Sequence, residues 1–346
     1  MSEGILYLSR SDVERACAEL DSVALVAEAL ALHAQKETVL PDEAYLAWTN
    51  QSGEAARSLN MPGALLGTMG AVGTKIINAN PANPRHGLGR ASGLTLLFDP
   101  EAARIECIME GAHISALRTA SMSVLSSRLF EAAPIGVVAL IGAGELARVH
   151  LALLEAHLRD LAEIRIFDVD PARAADLLER SNGSLASRGI DLRLMTTAAA
   201  AIQGADLVLP VTTTTTGYIP LAWLKPGVIL VNVSLDDPLP EVVLESEVLV
   251  VDDWGLVKAD HRRLIGRMYR QGLVTDPEDP NGRRRGSPRR IDAQLGEIVV
   301  GSKRGRERAE DRVLVNPFGL SIEDIAVAAR AAEVARRLGL GCTLPR

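Results

Sequence analysis

The sequence predicts an α/β protein in two parts, a doubly wound parallel sheet and a second sheet-containing domain of different rhythm. Three observations carry this expectation. Apolar strands at 136–141, 163–167, 191–195, 206–211, 228–233 and 248–252 alternate with helical segments at 145–158, 171–188 and 197–203, the succession from which parallel sheets are built. The first of these strands runs into Gly142-x-Gly144-x-x-Ala147, with small residues where a sharp turn and close helix packing require them. From 43 to 110, by contrast, runs at 74–79, 93–98 and 104–109 are separated by Gly, Pro and Asn clusters with no helix between them.

The remaining elements follow in order. Ser11-Asp-Val-Glu14 reads as a capping box that opens a short helix, and a second apolar-periodic helix covers about 22–36. Helical spacing returns over 112–130, with Ile114, Leu117, Met122 and Leu125 on one face, and Ala133-Pro134 ends it. A domain boundary is expected near 132. Residues 256–272 read as helical, and Asp276 to Arg290, rich in Pro, Gly and Arg, as a long mobile loop. A strand at 312–315 precedes an alanine-rich helix at about 321–338, expected to pack back on the N-terminal domain. The expected division is therefore 1–132 with 312–346, and 133–311. Segments at about 40–62 and 273–292 show no readable pattern, and no internal repeat is visible.

Composition excludes several classes. At 346 residues, 47% apolar and 23% charged, the chain has ordinary globular composition. A net charge of −7 gives no footprint for nucleic acid or an anionic membrane. The Arg283–Arg290 run has no interleaved aromatics and reads as a solvated or lid-like loop. No apolar stretch approaches the roughly 20 residues that span a bilayer, and the N-terminus lacks a basic then apolar segment. A cytoplasmic protein is expected. Cys17, Cys107 and Cys342 fit no disulfide or zinc spacing. The six histidines show no metal spacing, and neither a Gly-x-Ser-x-Gly nor a Walker loop occurs.

The glycine turn points to a dinucleotide. Gly142 permits the turn, Gly144 lets the backbone approach a pyrophosphate, and Ala147 lets the helix pack on the strand. Asp168 ends the next strand 21 residues after Ala147, where an acid would bind ribose hydroxyls and repel a 2′-phosphate. No arginine follows it directly, so NAD is favoured over NADP. Lys75, flanked by Ile76 and Ile77, reads as buried. It should pair with a carboxylate of protein or substrate, or have a depressed pKa. Arg118 lies on the otherwise apolar 112–130 helix and calls for an anion, either a ligand or an internal carboxylate. Asp236 and Asp237 follow the strand at 228–233, at the sheet edge where ligands bind. Either could act as a general base or simply cap the next helix. Thr212–Thr216 follow a strand at the same edge and could touch a cofactor ribose.

Taken together, Gly73-Thr-Lys75, Ala116-Leu-Arg118-Thr119-Ala120, Gly142-Ala-Gly-Glu-Leu-Ala147 and Asn232-Val-Ser-Leu-Asp-Asp237 resemble the ornithine cyclodeaminase and μ-crystallin family over nearly the whole chain. The resemblance implies a Rossmann-type NAD domain and an α+β domain for substrate binding and dimerisation, hence a homodimer. It implies that Lys75 and Arg118 are substrate-carboxylate and catalytic basic residues, and that Asp237 is the catalytic aspartate. Arg57, in Arg57-Ser-Leu-Asn-Met-Pro62, matches an additional carboxylate-binding arginine. The cofactor contacts expected are Gly142, Gly144, Glu145, Leu146, Asp168, Thr119, Thr212 and Val233.

Four further segments, Pro81-Ala-Asn-Pro-Arg85, Val251-Asp-Asp-Trp254, Leu295-Gly-Glu297 and Asn316-Pro-Phe-Gly319, resemble the branch of dehydrogenases that make 2,3-diaminopropionate for siderophores and peptide antibiotics. These oxidise N-(2-amino-2-carboxyethyl)-L-glutamate. The cyclodeaminases carry a motif closer to Asp-Ser-Thr-Gly where Asn316-Pro-Phe-Gly319 stands. The reaction implied is NAD-dependent oxidation of the glutamyl Cα–N bond to an imine, then hydrolysis. Cyclodeamination of ornithine or lysine with catalytic NAD, imine reduction, and non-catalytic μ-crystallin-like binding are the alternatives.

Overall fold

A computed structural model of the protein describes residues 4–346. Two compact units are present, one ending at Arg118 and resuming over Gly319–Arg346, the other covering Thr119–Phe318. Against the expected boundaries near 132 and at 311/312, the chain changes unit inside the long helix and again after the 313–316 strand.

The first unit begins with β1 (Gly4–Leu8), α1 (Arg10–Cys17) and α2 (Ser22–Ala34). Strands β2 (Thr38–Val39), β3 (Ala44–Thr49), β4 (Ala55–Leu65), β5 (Ala71–Ala79), β6 (Ala91–Phe98) and β7 (Ile105–Glu110) follow. The helix α3 (Gly111–Phe130) carries the chain into the second unit.

The second unit alternates β8 (Val137–Ile141), α4 (Glu145–His157), β9 (Glu163–Phe167), α5 (Pro171–Ser187), β10 (Asp191–Leu194), α6 (Ala198–Ile202), β11 (Leu207–Pro210) and β12 (Ile229–Val231). It continues through α7 (Pro240–Glu245), β13 (Val248–Val251), α8 (Trp254–Ala259), α9 (Leu264–Arg270), β14 (Val274–Thr275), β15 (Arg289–Arg290), β16 (Ala293–Gln294), α10 (Leu295–Val299) and β17 (Val313–Asn316). Eight of these strands form one wholly parallel sheet, in the order β10-β9-β8-β11-β12-β17-β13-β16. The central strands are buried on both faces, which is why they read as continuous apolar runs rather than alternations. Strand order reverses between β8 and β11, the switch point where such sheets bind ligands.

The chain then returns to the first unit through α11 (Ser321–Leu338) and β18 (Cys342–Pro345). The first sheet runs β18-β1-β7-β6-β5-β4-β2, with β3 added to β4. It is antiparallel except where β1 meets β7. α11 lies across β4, β5 and β6 and against α1 and α2. Its alanines permit a close approach, as does Gly63, where a Cβ would fall 2.6 Å from Ser321 Oγ.

Several local expectations change. The first helix is capped by Ser9 with Asp12 returning the bond, not by Ser11 with Glu14. Ser9 is the first residue past β1 and keeps its extended backbone, so the helix starts there. The single helix expected over 256–272 is two, because Asp260 Oδ1 accepts the N–H groups of Arg262 and Arg263 and breaks the ladder. The arginine run is not wholly solvated. Arg289 is fully buried, donates to Asp292 and the Ser246 carbonyl, and lies in β15 beside β14. β1, β3, β4 and β18 were not read. All of β3 is exposed, so it carries no alternation of buried and exposed residues. The strand at 313–316 joins the second sheet between β12 and β13, while the helix after it packs on the first unit. Cys17 and Cys107 are buried and Cys342 is exposed.

Candidate active site

In the first unit, Lys75 sits at the middle of β5, opposite Met61 of β4 and Thr95 of β6, and is 1% exposed. Its Nζ donates to Asp324 Oδ2 at 2.7 Å and to Ser115 Oγ at 3.4 Å. Burial pulls the Lys75 pKa below its ordinary value, against the pull of Asp324, with the Arg118 charge also lowering it. Arg118, also buried, donates Nη1 to Glu323 Oε2 at 3.1 Å, and its Nε lies 3.3 Å from Asp324 Oδ2. Both basic residues singled out in the sequence therefore meet internal carboxylates. Gly319 makes room for the guanidinium: φ is +96°, and a Cβ there would come 2.5 Å from Arg118 Nη1.

Glu323 and Asp324 are fully buried and were missed by sequence reading. Their signal was faint, two acids in the first turn of a helix, where carboxylates commonly complement the helix dipole. Arg57 lies on β4, opposite Ala79. Alternation places it on the same sheet face as Met61 and Lys75, four residues from Met61 and so roughly 13 Å along the strand. It lines a cavity of about 300 Å³ with Trp48, Asn78, Asn80 and Ser92. Among the described residues it forms no ion pair.

In the second unit, β8 ends in the glycine turn. Gly142 has φ +102°, and a Cβ there would meet the Val211 carbonyl at 3.0 Å, so both conformation and space demand glycine. Gly144 is the N-cap of α4 with no side-chain cap, and a Cβ on it would have nothing within 4 Å. A side chain at Gly144 would thus enter open space at the start of the helix, the place that a pyrophosphate occupies in such turns. Ala147 is fully buried against the sheet. Asp168 follows β9; its Oδ2 accepts the Ala143 N–H at 2.7 Å and its Oδ1 that of Asp170 at 2.8 Å, which ties the acid to the turn. Glu145 pairs with Arg148 at the surface. Leu146 accepts His150 Nδ1 at 2.8 Å through its carbonyl, and His150 Nε2 lies 2.9 Å from Ser123 Oγ. The Thr119 carbonyl accepts that same hydroxyl at 3.3 Å. These residues fit a dinucleotide: a strand-end acid, an open helix start and a glycine turn converge on one loop.

Asp237 belongs to the same edge. It is fully buried, and Oδ1 accepts the hydroxyls of Thr212 at 2.8 Å and Tyr218 at 3.0 Å, while Oδ2 accepts Ser234. Burial raises its pKa, and the three hydroxyls offset that only in part. The Tyr218 phenol is pushed well above its ordinary value by burial and the neighbouring acid. Leu235, at φ +75°, supplies the left-handed kink just before the two acids, and Val233 N bonds back to the Val231 carbonyl at 2.9 Å. The pair of aspartates is thereby differentiated. Asp236 is held by Arg263 at 2.8 Å and Arg267 at 3.1 Å, whereas Asp237 meets only hydroxyl side chains. Tyr218 was missed by sequence reading; it lies two residues past the threonine run, outside any strand or helix.

Comparison with known proteins adds the following. A family model described as the ornithine cyclodeaminase/mu-crystallin family matches residues 6–337. The chain is 29% identical to the N-((2S)-2-amino-2-carboxyethyl)-L-glutamate dehydrogenase of Staphylococcus aureus, over 99% of each chain. The solved structure of CmnK is similar at 36% identity and a TM-score of 0.87, covering 99% of this chain and 98% of that one. The Δ1-pyrroline-2-carboxylate reductase of Thermococcus litoralis, solved in complex with NADH and L-proline, is similar at 26% identity and a TM-score of 0.86, over 98% and 100%.

Proposed function

The chain belongs to the ornithine cyclodeaminase/mu-crystallin family, and from that premise we propose that it oxidises N-(2-amino-2-carboxyethyl)-L-glutamate to 2,3-diaminopropionate and 2-oxoglutarate. At the level its relatives share, it is an NAD-dependent oxidoreductase of amino acids. The carrying observation is the spacing of cations in the first unit. Lys75 and Arg118 form one group at Asp324, and Arg57 stands on the same sheet face as Lys75, roughly 13 Å along β4. An amino acid with carboxylates on separate arms uses both groups; ornithine or proline, with one carboxylate, uses one.

The roles of the residues follow from their chemistry. Arg57, Arg118 and Lys75 hold carboxylates and so fix the orientation of the glutamyl Cα–H. Gly142, Gly144, Glu145, Leu146, Thr119, Thr212 and Val233 surround the dinucleotide, with Asp168 on the adenosine ribose. NAD, when bound, supplies the hydride acceptor for the glutamyl Cα–H. Asp237 takes a proton from the substrate amine before hydride transfer and releases it to solvent, then takes one from the water that adds to the iminium carbon and returns it to the departing nitrogen. Collapse of that adduct breaks the C–N bond and gives the two products. The first unit is thus a substrate domain and the second an NAD domain, in a cytoplasmic enzyme of siderophore or peptide antibiotic biosynthesis.

The same reading takes the protein as a homodimer, with Tyr45, Leu46 and Trp48, exposed along β3, as the surface for a second copy. Sedimentation showing only monomer at working concentration removes the dimer. Reduction of an imine, the reverse sense, is favoured by one observation: the raised pKa of Asp237 suits a proton donor. The deciding experiment incubates the protein with NAD and N-(2-amino-2-carboxyethyl)-L-glutamate beside ornithine and lysine. 2,3-Diaminopropionate with 2-oxoglutarate supports the proposal. Proline or pipecolate without net NADH establishes cyclodeamination, and turnover only of cyclic imines with NADH establishes a reductase.

A further inference from the structure

Lys75 lies in a dry part of the first unit, where an ammonium sheds its proton unless a counter-ion is fixed beside it. α11 supplies that counter-ion. Asp324 Oδ2 accepts Lys75 Nζ at 2.7 Å and stands 3.3 Å from Arg118 Nε, so one oxygen is shared between two cations. The other charged groups acting there are Glu323, which takes Arg118 Nη1, and Glu43, whose charge favours the ammonium. Ser115 on α3 offers Lys75 a hydroxyl, and β4 and β6 offer it only Met61 and Thr95 across the ladder. Asp324 Oδ1 is buried with no hydrogen-bond partner, as is Thr95 Oγ1. Asp324 is therefore held by the contacts of Oδ2 alone, and its position is coupled to the two cations rather than to the surrounding backbone.

We propose that Asp324 is a positioning residue for carboxylate binding, which keeps Lys75 in its ammonium form and fixes it beside Arg118 so that both cations meet one substrate carboxylate. This rests on the amino-acid oxidoreductase reading, in which Lys75 and Arg118 are anchors. The role differs from that of a structural ion pair, because its loss changes the pH at which substrate binds rather than only the stability of the fold.

The test compares the parent with Asp324→Asn, using protein labelled with ¹⁵N at the lysine side chains. The chain has only five lysines, and the Lys75 signal is the one lost in Lys75→Arg. In Asp324→Asn, Lys75 should titrate at least about one pH unit lower than in the parent. Above that midpoint the KM for the amino-acid substrate should rise about tenfold per pH unit, with kcat and the KM for NAD unchanged, and Asp324→Glu should restore the parent profile. Identical Lys75 titration in the two proteins overturns the proposal, as does a lowered midpoint with an unaltered KM profile. If Asp324→Asn does not fold, Asp324→Ser takes its place, and the same titration and KM readings decide. Should the parent turn over no amino acid, the amino-acid oxidoreductase reading has failed separately. The titration then still decides the pairing, with calorimetric binding of L-glutamate across pH replacing KM.

Discussion

Thr212 donates its hydroxyl to Asp237 at 2.8 Å, and its own backbone N–H lies beside the space that a Cβ on Gly142 would fill. One threonine thus joins the buried acid to the glycine turn. An acid that must move protons near a bound dinucleotide needs such a fixed link, because proton transfer depends on placement before pKa.

Asp237→Asn should lower kcat by about 10²- to 10⁴-fold without lowering stability at neutral pH. Burial raises this carboxyl above its ordinary value. Its contribution to stability is therefore present below the unfolded carboxylate pKa and is lost as pH rises through the folded one. The ionised form, which grows with rising pH, is a burden that the amide does not carry. Melting curves at pH 7 and pH 4 check this: the variant should match or exceed the parent at pH 7 and lose that advantage at pH 4.

The two glycines of the turn should respond oppositely to alanine. Gly142→Ala forces a side chain into a left-handed backbone against the Val211 carbonyl, at a cost of about 1–3 kcal/mol, and should lower Tm. Gly144→Ala meets nothing within 4 Å and should cost under about 1 kcal/mol, yet weaken NAD roughly tenfold or more because the methyl occupies the space of the pyrophosphate. Melting curves with and without NAD separate the two. Equal NAD binding by Gly144→Ala and the parent would remove the dinucleotide from this turn.

His150 is fully buried, with a pKa lowered to about 4 from its ordinary 6.5, chiefly by desolvation. The sign is the reverse of that for Asp237. The neutral ring is the native form, so its contribution is present above pH 6.5 and is lost as pH falls towards 4. Integrated over that interval it amounts to about 3 kcal/mol. Denaturant titrations from pH 7 to 4 should show the gap between parent and His150→Gln closing across this window. A constant gap would mean that the ring is not buried neutral.

Much of the second unit was legible because a parallel sheet imposes rules on its sequence. Strands buried on both faces become apolar runs, and the turn after β8 tolerates only glycine at 142, so both leave marks. The first unit was less legible. β3 is exposed throughout and β4 begins exposed, so Arg57 sat in a stretch without period although it lies in a strand. Lys75 and Arg118 were visible as misplaced charges, but their partners were not. Glu323 and Asp324 lie some 200 residues or more away in sequence, and their position at a helix start gave them an ordinary explanation. Asp236 and Asp237 were indistinguishable as a dipeptide; Arg263 and Arg267 on the one, and the hydroxyls of Thr212, Tyr218 and Ser234 on the other, separate them.

The central claim, that hydride leaves the glutamyl Cα, is tested most directly with N-(2-amino-2-carboxyethyl)-L-glutamate deuterated at that carbon. The account predicts NADH carrying about one deuterium for each 2-oxoglutarate released, with 2,3-diaminopropionate formed in equal amount. NADH without the label, or label retained in a product with no net NADH, would contradict it.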